Sequence, residues 1–426
     1  MKEQLKKVVN NHIDETRDEI IELCSKLVRF PSENPPGDMS EIALFLQTYL
    51  ENRDFEVQAY EPKKGRISVL SRIGNKKKPT LILNGHMDVV PAGNKDRWDF
   101  PPFSGELKDG KILGRGSTDM KGGLTSLIAA FIAINQHVDD IPGSIILTMV
   151  PDEETGGEFG ASWLIDSGKV TGDACIVGEP GSLDKTYVGE KGACWLRLTA
   201  QGIPAHGSLP VLGENAIEKL APAIPLIQTI GLEKVDIPAD IQEIIQFSKE
   251  FFTETSMGKT RGNKSVGDVL DHNTVNIGMV SGGSKINMVP ESCTAEVDIR
   301  IPPGTSAKEV DNQVRELLTG EDLDVTCELI MASDPNYTEP EERIYSLLTQ
   351  NVKEVTGEDI QPLFATGFTD GRFFRLNGIP TLNYGPGDVS YIHGFNEYIT
   401  AEDIITAAKV ISGTILDYFF PPQKTS

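Results

Sequence analysis

The chain has 426 residues, with 40 Lys and Arg against 63 Asp and Glu, a formal net charge of −23. Hydrophobic content of 39%, charged content of 24% and 41 glycines describe a globular protein with ample core, not a disordered or fibrous one. The acidity argues against a nucleic-acid partner, which needs a basic face, and no stretch approaches the ~20 apolar residues of a membrane span. No apolar segment of secretory type opens the sequence. Five scattered cysteines (Cys24, Cys175, Cys194, Cys293, Cys327) lack CxxC spacing, which suggests reduced core thiols in a cytoplasmic protein.

Apolar positions near a helical period predict a helix over 3–28, ended by PSENPPG at 31–37, and a second helix over 39–51. FEVQAY, ISVLSRI and TLILNGH (80–86) read as strands. The nearly all-apolar 118–136 reads as a buried helix, and SIILTMV (144–150) and ACIVG (174–178) as buried strands. Such runs alternating with helices imply a sheet that is at least partly parallel and covered on both faces. After Gly189 the texture changes. Residues 193–202, 274–283 and 293–301 alternate as half-exposed strands do, a helix around 214–230 is broken by Pro222 and Pro225, and 233–268 is charged and weakly patterned. A helix (306–319) and a strand (324–331) complete a small α+β unit with an open antiparallel sheet. From about Pro335 the first texture returns: a helix (340–355), TLNYGPG and a closing helix (401–418), with a capping-box-like start at Thr400. The chain therefore reads as α/β, a large domain (1–189 and 335–426) into which a small domain (190–334) is inserted.

The candidate chemistry gathers at strand ends. NGHMDVVP places His86 and Asp88 where a strand terminates, two apart on one side of extended backbone. One would ligate a metal while the other fixes the imidazole's tautomer. Asp119, in GRGSTDMKGG, precedes the buried helix and has an N-cap as its ordinary alternative. Glu153 and Glu154 in PDEETGG point apart, so one can bind metal while the other serves as general base. Glu179 ends another apolar strand in VGEP, His206 lies in GIPAHGS and His393 in YIHGFNEY. Each alone could be solvated surface or a structural residue. Together, at the carboxyl ends of strands in an open α/β sheet, they suggest a metal site. Mixed imidazole and carboxylate ligands suit Zn²⁺, with Co²⁺ or Mn²⁺ possible.

These motifs, in this order and spacing from about Leu23 to Tyr418, resemble the M20 metallopeptidase family. Its co-catalytic zinc amidohydrolases include acetylornithine deacetylase, succinyl-diaminopimelate desuccinylase, aminoacylase and carboxypeptidase G. The resemblance implies a zinc-exopeptidase-like catalytic domain with a small lid and dimerisation domain, and two zinc ions. Carried over residue by residue, His86 and Glu179 would hold one zinc and Glu154 and His393 the other. Asp119 would bridge them, with the following peptide bond to Met120 cis. Asp88 would support His86, and Glu153 would be the general base for a metal-bridged water. His206 would reach a neighbouring subunit's active site to stabilise the oxyanion, while Asn287, Arg300 and Gly367 would contact substrate.

The expected activity is removal of an acyl group from an N-acyl amino acid, in the manner of acetylornithine deacetylase. The alternative is a dipeptidase or carboxypeptidase of the same family, acting on a short peptide. No GxSxG elbow or reactive cysteine motif suggests a covalent nucleophile. The chain departs from desuccinylases, which carry Gly-Thr-Ser where it has Gly367-Phe368-Thr369 and a cationic residue where it has Glu190. The expected partners are a small-molecule substrate and a second copy of the chain.

Overall fold

A computed structural model describes residues 2–74, 78–254 and 266–421. The chain divides into two compact units, one of 1–188, 337–362 and 369–426 and the other of 189–336 with 363–368. The segment 363–368 departs from the reading that left it with the larger domain. Within the second unit Lys191 N donates to Ala365 O, and Phe364 N donates to Ser248 Oγ.

In the first unit the sheet runs in the order Val57–Lys63, Arg66–Ile73, Ser144–Val150, Thr80–His86, Ala174–Val177, Thr381–Asn383. The first two pairings in this order are antiparallel and the next three parallel. Every residue of Thr80–His86 and Ser144–Val150 is buried, because the parallel core is covered on both faces. The helix Gly122–His137 packs against Ala401–Phe419, and its residues 122–134 are all buried, which explains why its sequence shows almost no polar face.

In the second unit four antiparallel strands pair in the order Thr274–Gly282, Ser292–Ile301, Gly192–Gln201, Thr326–Ser333. Burial alternates strictly along the second of these strands from Cys293 to Ile301, so one face meets a core and the other stays open. Leu196, Leu198, Val297 and Ile299 meet Leu220, Ile227, Val310 and Val314 of the helices in that core.

Several expectations need correction. The predicted helix over 3–28 is two helices, Lys2–Glu15 and Arg17–Arg29, separated at Thr16, whose hydroxyl donates back to His12 O. The buried helix begins at Gly122, later than the expected 118, because Ser117–Lys121 forms a separate turn in which Asp119 is extended. Within 233–268 an amphipathic helix, Gln242–Glu254, buries Ile244, Ile245, Ser248 and Phe252; residues 255–265 of that segment lie outside the described residues. Thr400 makes no capping bond to the closing helix. The reciprocal capping box is instead at Ser306 and Glu309. All five cysteines are free, four of them buried. No helix among the described residues is long and apolar enough to cross a membrane.

Candidate active site

Parallel pairing in register brings three strand ends level. His86 lies opposite Val150, and Asn84 opposite Val177. The residues that follow, Glu153 and Glu154 after one strand and Glu179 after another, therefore leave the sheet beside His86. Asp119 arrives from the other side, on the turn before Gly122–His137. That helix sits hard against the strand end: a Cβ on Gly123 would lie 1.8 Å from the Gly178 carbonyl oxygen. Only glycine permits this approach, and it sets how near Asp119 comes to Glu179.

The resulting distances are those of donors facing a shared centre. His86 Nε2 is 3.1 Å from Asp119 Oδ1 and 3.7 Å from Glu179 Oε1. His393 Nε2 is 3.1 Å from Glu154 Oε2 and 3.5 Å from Asp119 Oδ2. Asp119 thus turns one oxygen to each histidine. The two groups, His86–Asp119–Glu179 and Asp119–Glu154–His393, each have ligand atoms within 4.8 Å of one another. Two donors ~2.1 Å from one tetrahedral ion would stand roughly 3.4 Å apart, which matches these separations. Glu179 Oε1 is buried without a hydrogen-bond partner among the described residues, as an oxygen reserved for a cation would be. The donor set fits two divalent ions. The Asp119–Met120 peptide bond is cis.

The surrounding groups hold these ligands in place. His86 Nδ1 is 2.9 Å from the backbone carbonyl of Asp88 and 3.4 Å from its Oδ1, so the carbonyl is the nearer partner. The Asp88 carboxylate itself accepts from Glu153 N, Glu154 N and Asn34 Nδ2, tying His86's loop to the acidic turn. Glu397 Oε1 accepts from Thr118 N and Asp119 N, while its Oε2 accepts from Arg115 Nη1 at 2.5 Å. Asp370 accepts from Asn84, two residues before His86, and Arg372 donates to Gly156 O just past the acidic turn. Sequence reasoning gave no role to Asn34, Arg115, Glu397 or Asp370. NPPG, the NEY end of the last motif and the Asp-Gly-Arg of 370–372 were the available signals.

Electrostatics reflect crowded carboxylates. Burial and the neighbouring Glu179 push the Glu153 carboxyl well above its usual range, and burial with Asp119 does the same to Glu179. Burial and Asp119 also raise Glu154. Burial opposes charge on His86, yet Asp119 and Asp88 hold it well above the ordinary imidazole value. Asp119 and Glu154 raise His393 to about 10. Asp119 itself is lowered, since His393 and His86 outweigh its burial. Glu153 Oε2 stands 4.0 Å from His86 Nε2 and belongs to neither group.

The remaining candidates lie in the second unit. His206 is exposed, its Nδ1 2.7 Å from Ser208 Oγ. It bridges to Met288, and Gly207 N donates to Asn287 O, so His206 and Asn287 sit on adjoining segments. Arg300 Nε donates to Asp298 Oδ1 at 2.8 Å. Gly367 is exposed beside Phe368.

The chain is similar to known proteins over most of its length. The sequence model of Peptidase family M20/M25/M40 matches residues 82–417. A probable succinyl-diaminopimelate desuccinylase of Staphylococcus epidermidis is 29% identical over 387 residues, covering 89% of this chain and 92% of that protein. The M20 family metallo-carboxypeptidase Sso-CP2 of Sulfolobus solfataricus superposes with a TM-score of 0.79 at 21% identity, covering 94% of this chain and 99% of the other. The Bacillus subtilis protein YXEP, described as a dinuclear metal binding peptidase, gives 0.64 at 14% identity, over 95% and 99%. At these identities the two structures show the shared fold.

Proposed function

The chain belongs to peptidase family M20/M25/M40 and is a hydrolase of amide bonds; from that premise we propose that it removes the acyl group from an N-acyl amino acid, with two metal ions. The observation that carries this reading is the pair of ligand groups sharing Asp119, with Glu153 beside them and assigned to neither.

His86 and Glu179 would hold one ion, Glu154 and His393 the other, and Asp119 both. Zn²⁺ suits these ligands, with Co²⁺ or Mn²⁺ as substitutes. Bound there, the ions would polarise an amide carbonyl and make water a nucleophile near neutral pH. Glu153 accepts the proton of the attacking water and returns it to the departing amine. Asp88, bonded to the backbone of Glu153 and Glu154, keeps base and His86 in fixed relation. His206 donates to the carbonyl oxygen as it gains charge. Its acting from a second copy of the chain is supported by the exposed Leu209, Val211, Ile286 and Met288 of the same unit, which a homodimer would cover. Asn287, Arg300 and the backbone at Gly367 hold the substrate, Arg300 through its carboxylate.

A metallo-carboxypeptidase among the structural neighbours keeps the peptidase alternative open to the same test. N-acetyl, N-formyl and N-succinyl amino acids are assayed beside unblocked dipeptides, with metal-free, Zn²⁺-reloaded and Arg300→Ala protein. The expected result is an N-acyl amino acid as the best substrate, a poor C-terminal amide analogue, and no turnover after chelation until metal returns. Preference for dipeptides would establish the peptidase reading. Undiminished turnover at near-zero metal content would refute the dinuclear one.

A further inference from the structure

The surroundings of Arg300 say more about the substrate than its charge does. Its Nε donates to Asp298 Oδ1, and the same oxygen accepts from Trp195 Nε1, at 2.8 Å, across the strand pair. The guanidinium lies 4.6 Å from the centroid of the Phe368 ring and 5.8 Å from that of Trp195. Its hydrogen bond among the described residues uses Nε, so the Nη1–Nη2 edge of the fork is the edge left for a ligand.

Phe368 reaches Arg300 because its segment is clamped within the second unit. Lys191 N donates to Ala365 O at 3.1 Å. Phe364 N donates at 2.9 Å to Ser248 Oγ, a wholly buried hydroxyl on the helix Gln242–Glu254. The buried Lys191 ammonium donates to the carbonyls of Val269 and His272. Ser248 lies in the charged segment 233–268, and Val269 and His272 directly follow it.

We propose that Phe368, presented by this clamp, is a specificity-determining residue that makes Arg300 a site for a carboxylate carried beside an apolar or aromatic group. The inference rests on Arg300 being the partner of the substrate's carboxylate. A carboxylate meets a guanidinium in its plane through two parallel hydrogen bonds. The carbon that bears it then runs along the rings of Phe368 and the half-exposed Trp195. An alkyl or aryl side chain there gains contact with both rings. A second carboxylate there loses hydration against the rings.

The test compares metal-loaded wild type with Phe368→Thr, Phe368→Leu and Arg300→Ala. Substrates are N-acetyl-leucine, N-acetyl-phenylalanine and N-acetyl-aspartate, or dipeptides with the same C-terminal residues if those are turned over better. Wild type is expected to favour the apolar side chains at least ~10-fold in kcat/KM, the lower range for a pocket contact of this size. Phe368→Thr should abolish most of that ratio through KM, Phe368→Leu should keep most of it, and Arg300→Ala should weaken all three substrates alike. Unchanged KM in Arg300→Ala would overturn the carboxylate reading and this inference with it. A collapse in Arg300→Ala with an unaltered ratio in Phe368→Thr would overturn the role of Phe368 alone.

Discussion

Replacing Glu397 by glutamine tests whether the metal-binding groups depend on a buried ion pair that touches neither ion. The Arg115 and Glu397 side chains are 3% and 1% exposed, with Nη1 and Oε2 2.5 Å apart. Glutamine has nearly the same shape and keeps one oxygen for the amides of Thr118 and Asp119, which now bond Oε1 at 2.9 and 3.1 Å. What it removes is the anion, leaving the Arg115 guanidinium buried and uncompensated. Breaking a buried pair in this way costs ~3–5 kcal/mol. In a unit of this size, that should lower the melting temperature by roughly 10 °C, at ~2–4 °C per kcal/mol. Asp119 should also lose some fixation, weakening metal binding by ~10–100-fold, the usual effect of removing a group that orients a ligand. Scanning calorimetry of metal-free protein reads the first effect, and competition with a chelator of known affinity reads the second. Removing both charges, as in Arg115→Met with Glu397→Met, should restore part of the stability. A loss below ~1 kcal/mol, typical of an exposed pair, with unchanged metal affinity would refute the reasoning.

Glu153→Gln should lower kcat by at least ~10²-fold with metal content intact, and mixing it with His206→Ala chains should restore part of the activity; exchange without recovery would show that His206 does not act in trans. Asp417 is lowered although burial opposes it, because Lys2, Lys6 and Asn351 bond its carboxylate. Its contribution is therefore present above the unfolded value of ~3.9 and lost as pH falls through the lower folded value. Asp417→Asn should cost about 2 kcal/mol at pH 7, because the Lys6 ammonium loses one of its two carboxylate partners and keeps Glu354, with the gap to wild type closing below about pH 4; equal melting temperatures at pH 7 would remove the pair from the account.

The ligand motifs were legible because each places a carboxylate or imidazole directly after an apolar strand or before a buried helix. Strand ends are where parallel pairing brings distant segments level, so His86, Glu154 and Glu179 could be expected together without knowing the register. Glu397 could not be found that way. Its bonds reach Thr118 and Asp119, about 280 positions away, and nothing in FNEY marks a carboxylate that binds backbone amides. Asn34 is similar, since NPPG reads as a helix stop while its asparagine holds Asp88. The helix Gln242–Glu254 reads in sequence as a charged, weakly patterned segment, although Ile241, Ile244, Ile245, Ser248 and Phe252 lie at helical spacing and are buried. At Thr400 the local signal was present and the bond is not formed, whereas Ser306 forms it.

The same charges that identify the site explain why its geometry is stable enough to read. Asp119, Glu153, Glu154 and Glu179 converge in a largely buried space, where several unpaired carboxylates could not persist. Burial and mutual repulsion push Glu153 and Glu179 up, and the same carboxylates hold His86 and His393 up. Metal ligation needs neutral imidazole and ionised carboxylate, so cations and protons are alternative ways of satisfying one arrangement of side chains. The arrangement itself is held from outside, by the bonds of Asp88 to the acidic turn and of Glu397 to the amide of Asp119. Groups that never touch an ion can thus fix where the ions would sit, and Glu153 stands outside both ligand groups.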